Sequence, residues 1–136
     1  MTQQIDLLKY QEFVTAVTSN ESKDFDAFIN RMYELRETGV NIPLLMTSSM
    51  GMQSEVGEFG EILKKCLWQH KPLNVDNIHH MESELSDILW YWMNGCTALN
   101  INPYKVIEWN IQKLEARYPG GKFDAHYSEN RQEGDI

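Results

Sequence analysis

Apolar positions recur at steps of three and four residues along most of the chain, the period of a helix, and no stretch alternates as a strand would. Ile5, Leu8, Phe13 and Val17 mark a first amphipathic helix that breaks around Ser19-Asn20. A second runs from about Ser22 to Glu37, with Phe25, Phe28, Ile29, Met32 and Leu35 on one face. Ser22 is its predicted N-cap, and Thr38-Gly39 ends it because glycine accepts the left-handed conformation. Pro43 suits the first turn of a third helix reaching about Gln69. Gly51, Gly57 and Gly60 lie inside that helix, and each costs up to about 1 kcal/mol relative to alanine. Close approach by a neighbouring helix or a ligand would explain them. After a connector at 70–74, a fourth helix is predicted from about Val75 to Leu99, with Asp76 near its positive end. A fifth starts at Asn102-Pro103 and reaches about Tyr118, where Pro119-Gly120-Gly121 stops it. The expected fold class is all-α: a bundle of about five helices without a sheet, its third and fourth helices forming an antiparallel hairpin.

Composition narrows the function. The 136 residues suit one domain, read as 1–127 followed by a polar tail at 128–136. A net charge of −8 argues against a nucleic-acid partner, which needs a basic stripe to neutralise phosphates. An acidic protein can still act on an acidic ligand where metal ions bridge the two. Cys66 and Cys96 fit no zinc or redox spacing and read as reduced thiols. Residues 1–6 lack a basic region followed by an apolar run, and no stretch approaches the roughly 18 apolar residues of a membrane span. A cytoplasmic location without membrane association is expected.

The chemistry concentrates in two acidic runs. Residues 55–61 read E-V-G-E-F-G-E, placing Glu55, Glu58 and Glu61 at three-residue steps on about the same side of a helix. Residues 82–87 read E-S-E-L-S-D and give Glu84 and Asp87 the same spacing. Folding the hairpin about Pro72 sets Glu58 roughly level with residue 86, so both clusters face one depth of the bundle. Carboxylates converging there repel one another unless a cation sits between them, and an oxygen-only donor set suits Mg²⁺ or Mn²⁺. A solvated acidic surface is the competing reading. A di-iron carboxylate bundle is disfavoured because it calls for Glu-x-x-His, whereas His79 and His80 precede Glu84 by five and four residues. With His70 and His126 they read as surface or interface residues.

The E-V-G-E run, the E-L-S-D-I-L-W-Y run and the late N-I-Q-K-L-E-A-R-Y-P-G-G-K-F segment resemble, in this order and spacing, the MazG-like all-α nucleotide pyrophosphohydrolases. The resemblance extends from about Met46 to Phe123. It implies that Glu55, Glu58, Glu84 and Asp87 are Mg²⁺ ligands, and that the chain forms homodimers or homotetramers. Ser54 stands where many members carry a further glutamate, which leaves Glu61 as the candidate for holding or deprotonating the attacking water.

Around this centre, Tyr91 and Asn94 continue the face of Glu84 and Asp87, offering a ring and an amide to a nucleobase, and Trp68 could close that pocket. Asn110, Lys113 and Arg117 share a face of the fifth helix, which the resemblance assigns to phosphates and ribose; Lys65 and Lys122 are further basic candidates. No serine or cysteine sits in a nucleophile setting. The expected activity is hydrolysis of a (d)NTP to monophosphate and pyrophosphate, by metal-activated water attack on the α-phosphorus. The alternative is a helical module that binds metal or a protein partner without turnover.

Overall fold

The computed structural model describes residues 5–130, which are helical throughout their regular elements and contain no strand. They divide into two compact units at the Ile42–Pro43 bond. In the first unit, α1 (Leu7–Val17) starts at Asp6, whose carboxylate accepts the amides of Leu8 and Lys9 at 3.1 and 3.2 Å. A 3-10 turn at Asn20–Ser22 leads into α2 (Phe25–Arg36), and Lys23 Nζ ties that turn back to the Thr15 carbonyl at 2.9 Å. The cap of α2 is Asp24, not the predicted Ser22: its Oδ1 accepts the Ala27 amide at 2.8 Å. A carboxylate makes a charge-assisted bond and complements the positive end of the helix dipole, so it displaces a hydroxyl from this position. Ser22 closes the 3-10 turn instead, its Oγ 3.2 Å from that of Ser19. Gly39 adopts φ 78° just beyond α2, as its sequence position predicts.

The second unit is built on α3 (Ile42–Trp68), α4 (Val75–Ala98), α5 (Pro103–Arg117) and the short α6 (Ala125–Glu129). Bounds of the long helices fall within a residue or two of the sequence reading. At the end of α3 the amides of Gln69 and Lys71 both donate to the Lys65 carbonyl, at 3.0 and 3.1 Å, while His70 turns left-handed at φ 56°. Asn74 then caps α4 by accepting the Asn77 amide at 3.1 Å. At its other end α4 stops in a Schellman turn. The Ile101 amide bonds the Cys96 carbonyl at 3.0 Å and the Asn100 amide bonds that of Thr97 at 3.2 Å, with Asn100 left-handed at φ 55°. The side chain of Asn102 accepts the Tyr104 amide at 3.0 Å and Pro103 occupies the first turn, which starts α5 at once.

The helix α6 was not foreseen. Its cap is Asp124, which accepts the His126 amide at 2.8 Å, and it carries regular structure to Glu129, into the segment read as a polar tail. Residues 131–136 of that predicted tail and residues 1–4 lie outside the described residues.

Small residues set how α3 meets α4. Ser48 is buried and its Oγ donates to the Tyr91 carbonyl at 2.7 Å. A Cβ at Gly51 would run into the Tyr91 ring, and one at Gly95 would stand 2.8 Å from Ser48 Oγ. The expectation of close approach at Gly51 therefore holds, with α4 as the neighbour. A Cβ at Gly57 or Gly60 would meet nothing within 4 Å, so packing does not account for those two. The buried apolar side chains Ile62, Cys96 and Ala98 all lie on α3 or α4. Many large apolar residues remain outside any core, among them Leu89 at 61%, Trp90 at 57% and Trp109 at 66% exposure. No helix among the described residues is long and apolar enough to cross a membrane.

Candidate functional site

Two helical turns beyond the Ser48–Tyr91 contact, the same α3–α4 seam turns acidic. Glu55 and Glu58 from α3 and Glu84 from α4 each bring a carboxylate oxygen within 4.8 Å of the other two. Glu58 therefore meets residue 84 where the sequence reading set it level with residue 86. The offset follows from packing Gly51 under Tyr91 and Ser48 against Gly95, contacts that fix the register without reference to the midpoint of the connector.

The three environments differ. Glu84 is buried, Glu55 half-buried and Glu58 exposed. A hydrogen bond with Glu84 raises the pKa of Glu55, and burial and the charges of Glu84 and Asp87 push it the same way. The causes that involve Glu84 and Asp87 reflect negative charge gathered at this point of the seam. A cation placed among these oxygens would remove the strain, and all-oxygen donors fit a hard divalent ion such as Mg²⁺ or Mn²⁺. Asp87 stands outside the three-carboxylate group, although its charge is felt at Glu55.

Glu58 and Glu84 open into a cavity of about 410 Å³, whose wall also includes Ser54, Gly57 and Ile62. Glu61 faces the same space from the next turn of α3. Its carboxylate pairs with Lys65 at 2.9 Å and Lys64 at 3.6 Å. The Lys65 hydrogen bond, followed by the charges of Lys64 and Lys65, holds its pKa below the ordinary glutamate value. Lys71 and His80 complete the wall. Neither was singled out for chemistry in the sequence: a loop lysine carries no periodic signal, and the i, i+4 spacing of His80 to Glu84, which could have found it, was set aside for want of a metal-ligand pattern.

Other predicted residues lie elsewhere. Tyr91 is half-buried over Gly51, its ring centroid 4.6 Å from that of Trp90, and Asn94 is half-buried one turn further along α4. Trp68 is exposed at the last position of α3. On α5, Asn110 is exposed while Lys113 and Arg117 are half-buried. None of these six lines the acidic cavity.

Residues 47–121 match the family model of the MazG nucleotide pyrophosphohydrolase domain. The chain belongs to this family. The MazG match covers α4 and α5 entirely and all but the first turn of α3, and so contains every carboxylate of the cluster. No curated protein and no solved structure matches the chain.

Proposed function

We propose that this MazG chain is a divalent-cation-dependent nucleoside triphosphate pyrophosphohydrolase, releasing pyrophosphate and a (deoxy)nucleoside monophosphate. The carrying observation is the meeting of Glu55, Glu58 and Glu84 across the seam, within a family of nucleotide pyrophosphohydrolases. These three would hold Mg²⁺, for which Mn²⁺ could substitute, with Asp87, one turn further along α4, as the fourth ligand. When bound, the cation neutralises phosphate charge and makes water a stronger nucleophile at neutral pH.

The chain's own groups divide the remaining work. Glu84 is buried on α4, so its side chain has little freedom left to lose when a ligand arrives. Glu61 is kept ionised by its lysines, which suits it to accept a hydrogen bond from the attacking water and aim it at the α-phosphorus. Tyr91 and Asn94 meet the nucleobase, which Trp68, about 25 Å further along α3 at the hairpin turn, does not reach with them; Asn110, Lys113 and Arg117 meet ribose and phosphates. Exposed Leu89 and Trp90 on α4 and Trp109 on α5 support a homodimer or homotetramer, because apolar surface of this extent is ordinarily covered. Two unpaired thiols, Cys66 and Cys96, favour a reducing cytoplasm.

The test is pyrophosphate release from the eight common (d)NTPs with Mg²⁺, with Mn²⁺ and with a chelator. Release with a metal and none with chelator is the expected result. No release from any nucleotide would replace the enzyme by a metal-binding helical module, and a nucleoside diphosphate among the products would mean that the β–γ bond is cut.

A further inference from the structure

Beyond Glu58 and Glu84 the acidic cavity continues toward the turn of the α3–α4 hairpin, where Lys65, Lys71 and His80 form its wall. The position of Lys71 is not left to a loose loop. Its amide is bonded to the Lys65 carbonyl at 3.1 Å and the preceding His70 is locked left-handed, so the half-buried side chain leaves a defined backbone. Among the described residues the Lys71 ammonium enters no ion pair, whereas Lys65 is paired with Glu61. The adjacent His79 is engaged by Glu82 at 3.3 Å, and His80 faces the cavity.

The charge of the wall decides what this end can take. Three carboxylates, Glu58, Glu61 and Glu84, face two ammonium groups, so the cavity is negative and repels an anion. A divalent cation among the carboxylates removes that excess, because Glu55, Glu58, Glu61, Glu84 and Asp87 are then matched by the cation together with Lys64, Lys65 and Lys71. The repulsion of an anion is then lifted, and Lys71, which enters no ion pair among the described residues, offers a polyanion its ammonium group.

We propose that Lys71, with Lys65 and His80, anchors the diphosphate end of the substrate, the part released as pyrophosphate, and that this anchor forms only after the cation has bound. The inference rests on the pyrophosphohydrolase reading and adds a direction to it. Along α4 the order is His80, then Glu84 and Asp87, then Tyr91 and Asn94. The phosphate tail therefore lies toward the hairpin turn and the nucleoside toward Tyr91, with the α-phosphorus beside the carboxylates.

Titration calorimetry with inorganic pyrophosphate tests the anchor without turnover. Wild-type protein should bind pyrophosphate with Mg²⁺ present and not with chelator. Lys71→Gln should weaken that binding about ten-fold or more, the worth of one charged contact, and Lys71→Arg should restore most of it. Binding of a nucleoside monophosphate should change less than about two-fold in Lys71→Gln, because that product lacks the anchored part. If circular dichroism shows Lys71→Gln to be unfolded, His80→Gln carries the same comparison, and pyrophosphate affinity unchanged in the folded variant overturns the anchor. So would pyrophosphate binding that is equally tight with chelator, or wild-type protein that binds none. Nucleotide hydrolysis separates the two readings. Turnover by wild type alongside undiminished pyrophosphate binding in Lys71→Gln removes the anchor alone. Pyrophosphate binding that depends on Lys71, in a protein that hydrolyses no (d)NTP, keeps the anion site and removes the enzyme.

Discussion

Ser48 on α3 and Tyr91 on α4 are joined by one hydrogen bond, Oγ to carbonyl oxygen at 2.7 Å, made by a serine that is 1% exposed. The Tyr91 ring lies over Gly51 one turn further along α3, so backbone and ring of the same residue both grip the facing helix. Ser48→Ala should destabilise the chain by about 0.5–1.5 kcal/mol, because the carbonyl keeps its acceptor role within α4 when the hydroxyl goes. Gly51→Ala should be worse, by about 1–3 kcal/mol of overpacking, since its methyl runs into the ring. Urea unfolding at one protein concentration measures both. A Gly51→Ala protein as stable as wild type would mean that the ring moves aside freely.

Removing a member of the acidic cluster should uncouple stability from metal. Glu58→Ala or Asp87→Ala is expected to leave less than about a tenth of wild-type hydrolysis while helical circular dichroism stays near normal, as for a surface change away from the core. Mg²⁺ should raise the Tm of wild-type protein by ligand linkage, worth about 2.7 kcal/mol at a hundred times Kd. Glu84→Gln, which keeps the buried shape and drops the charge, should lose most of that rise. A full Mg²⁺-dependent rise in Glu84→Gln would place the cation somewhere else.

The crowding at Glu55 gives a pH signature in metal-free protein. Its folded-state pKa is raised, through Glu84 first, so the folded chain holds this proton more tightly than the unfolded chain does. Stability from this source is complete below the ordinary glutamate value and is lost as pH rises through the raised one. In chelator, Tm should fall across that window, and the Tm gap between Mg²⁺ and chelator should widen. Glu55→Gln should flatten this component. If thermal scans of Glu55→Gln in chelator follow wild type across the window, the residue is not under strain from its neighbours.

Base recognition and phosphate binding should separate by variant. Asn94→Ala is expected to cost about 0.5–1.5 kcal/mol for the preferred base and to relax discrimination, as the loss of one neutral hydrogen bond would. Lys113→Ala should cost about 1.5–3 kcal/mol for every base alike, as the loss of one charged contact. Ratios of kcat/KM across the (d)NTP panel read both as free energies. A uniform loss in Asn94→Ala would take that residue out of the base pocket, and a base-dependent loss in Lys113→Ala would put α5 at the nucleobase.

Long-range periodicity made most of the fold legible in the sequence. The limits of α3, α4 and α5 follow from apolar spacing and from stops such as Gly39, Pro43 and Pro103, each acting through its own backbone. Choices among local competitors were less legible. Ser22 and Asp24 both suit a cap, and only the extra 3-10 turn brings the carboxylate to the amides of α2. Three of the carboxylates that the acidic spacing sets at one depth, Glu55, Glu58 and Glu84, meet across the seam, while the two-residue offset of Glu58 depended on Gly51 and Gly95, whose contacts reach across the hairpin. Gly57 and Gly60 looked equivalent to Gly51 in the sequence, yet only Gly51 has a neighbour pressed against it. Lys71 and His80 were hidden for a different reason. Lys71 takes its place in the cavity from the left-handed turn at His70, whereas His80 shares a face of α4 with Glu84, four residues on, and was read only as a surface or interface residue.

The lock formed by Ser48, Gly51 and Gly95 lies on the side of the acidic cluster away from the connector. Sliding one helix past the other by a single turn would move Glu84 about 5.4 Å along Glu58, enough to break a shared coordination sphere. The connector is spared that constraint, since the register is held without it. Charge or length can then drift at the turn while the spacing of the carboxylates stays fixed. Changes confined to that short stretch would leave the meeting of Glu55, Glu58 and Glu84 as it is.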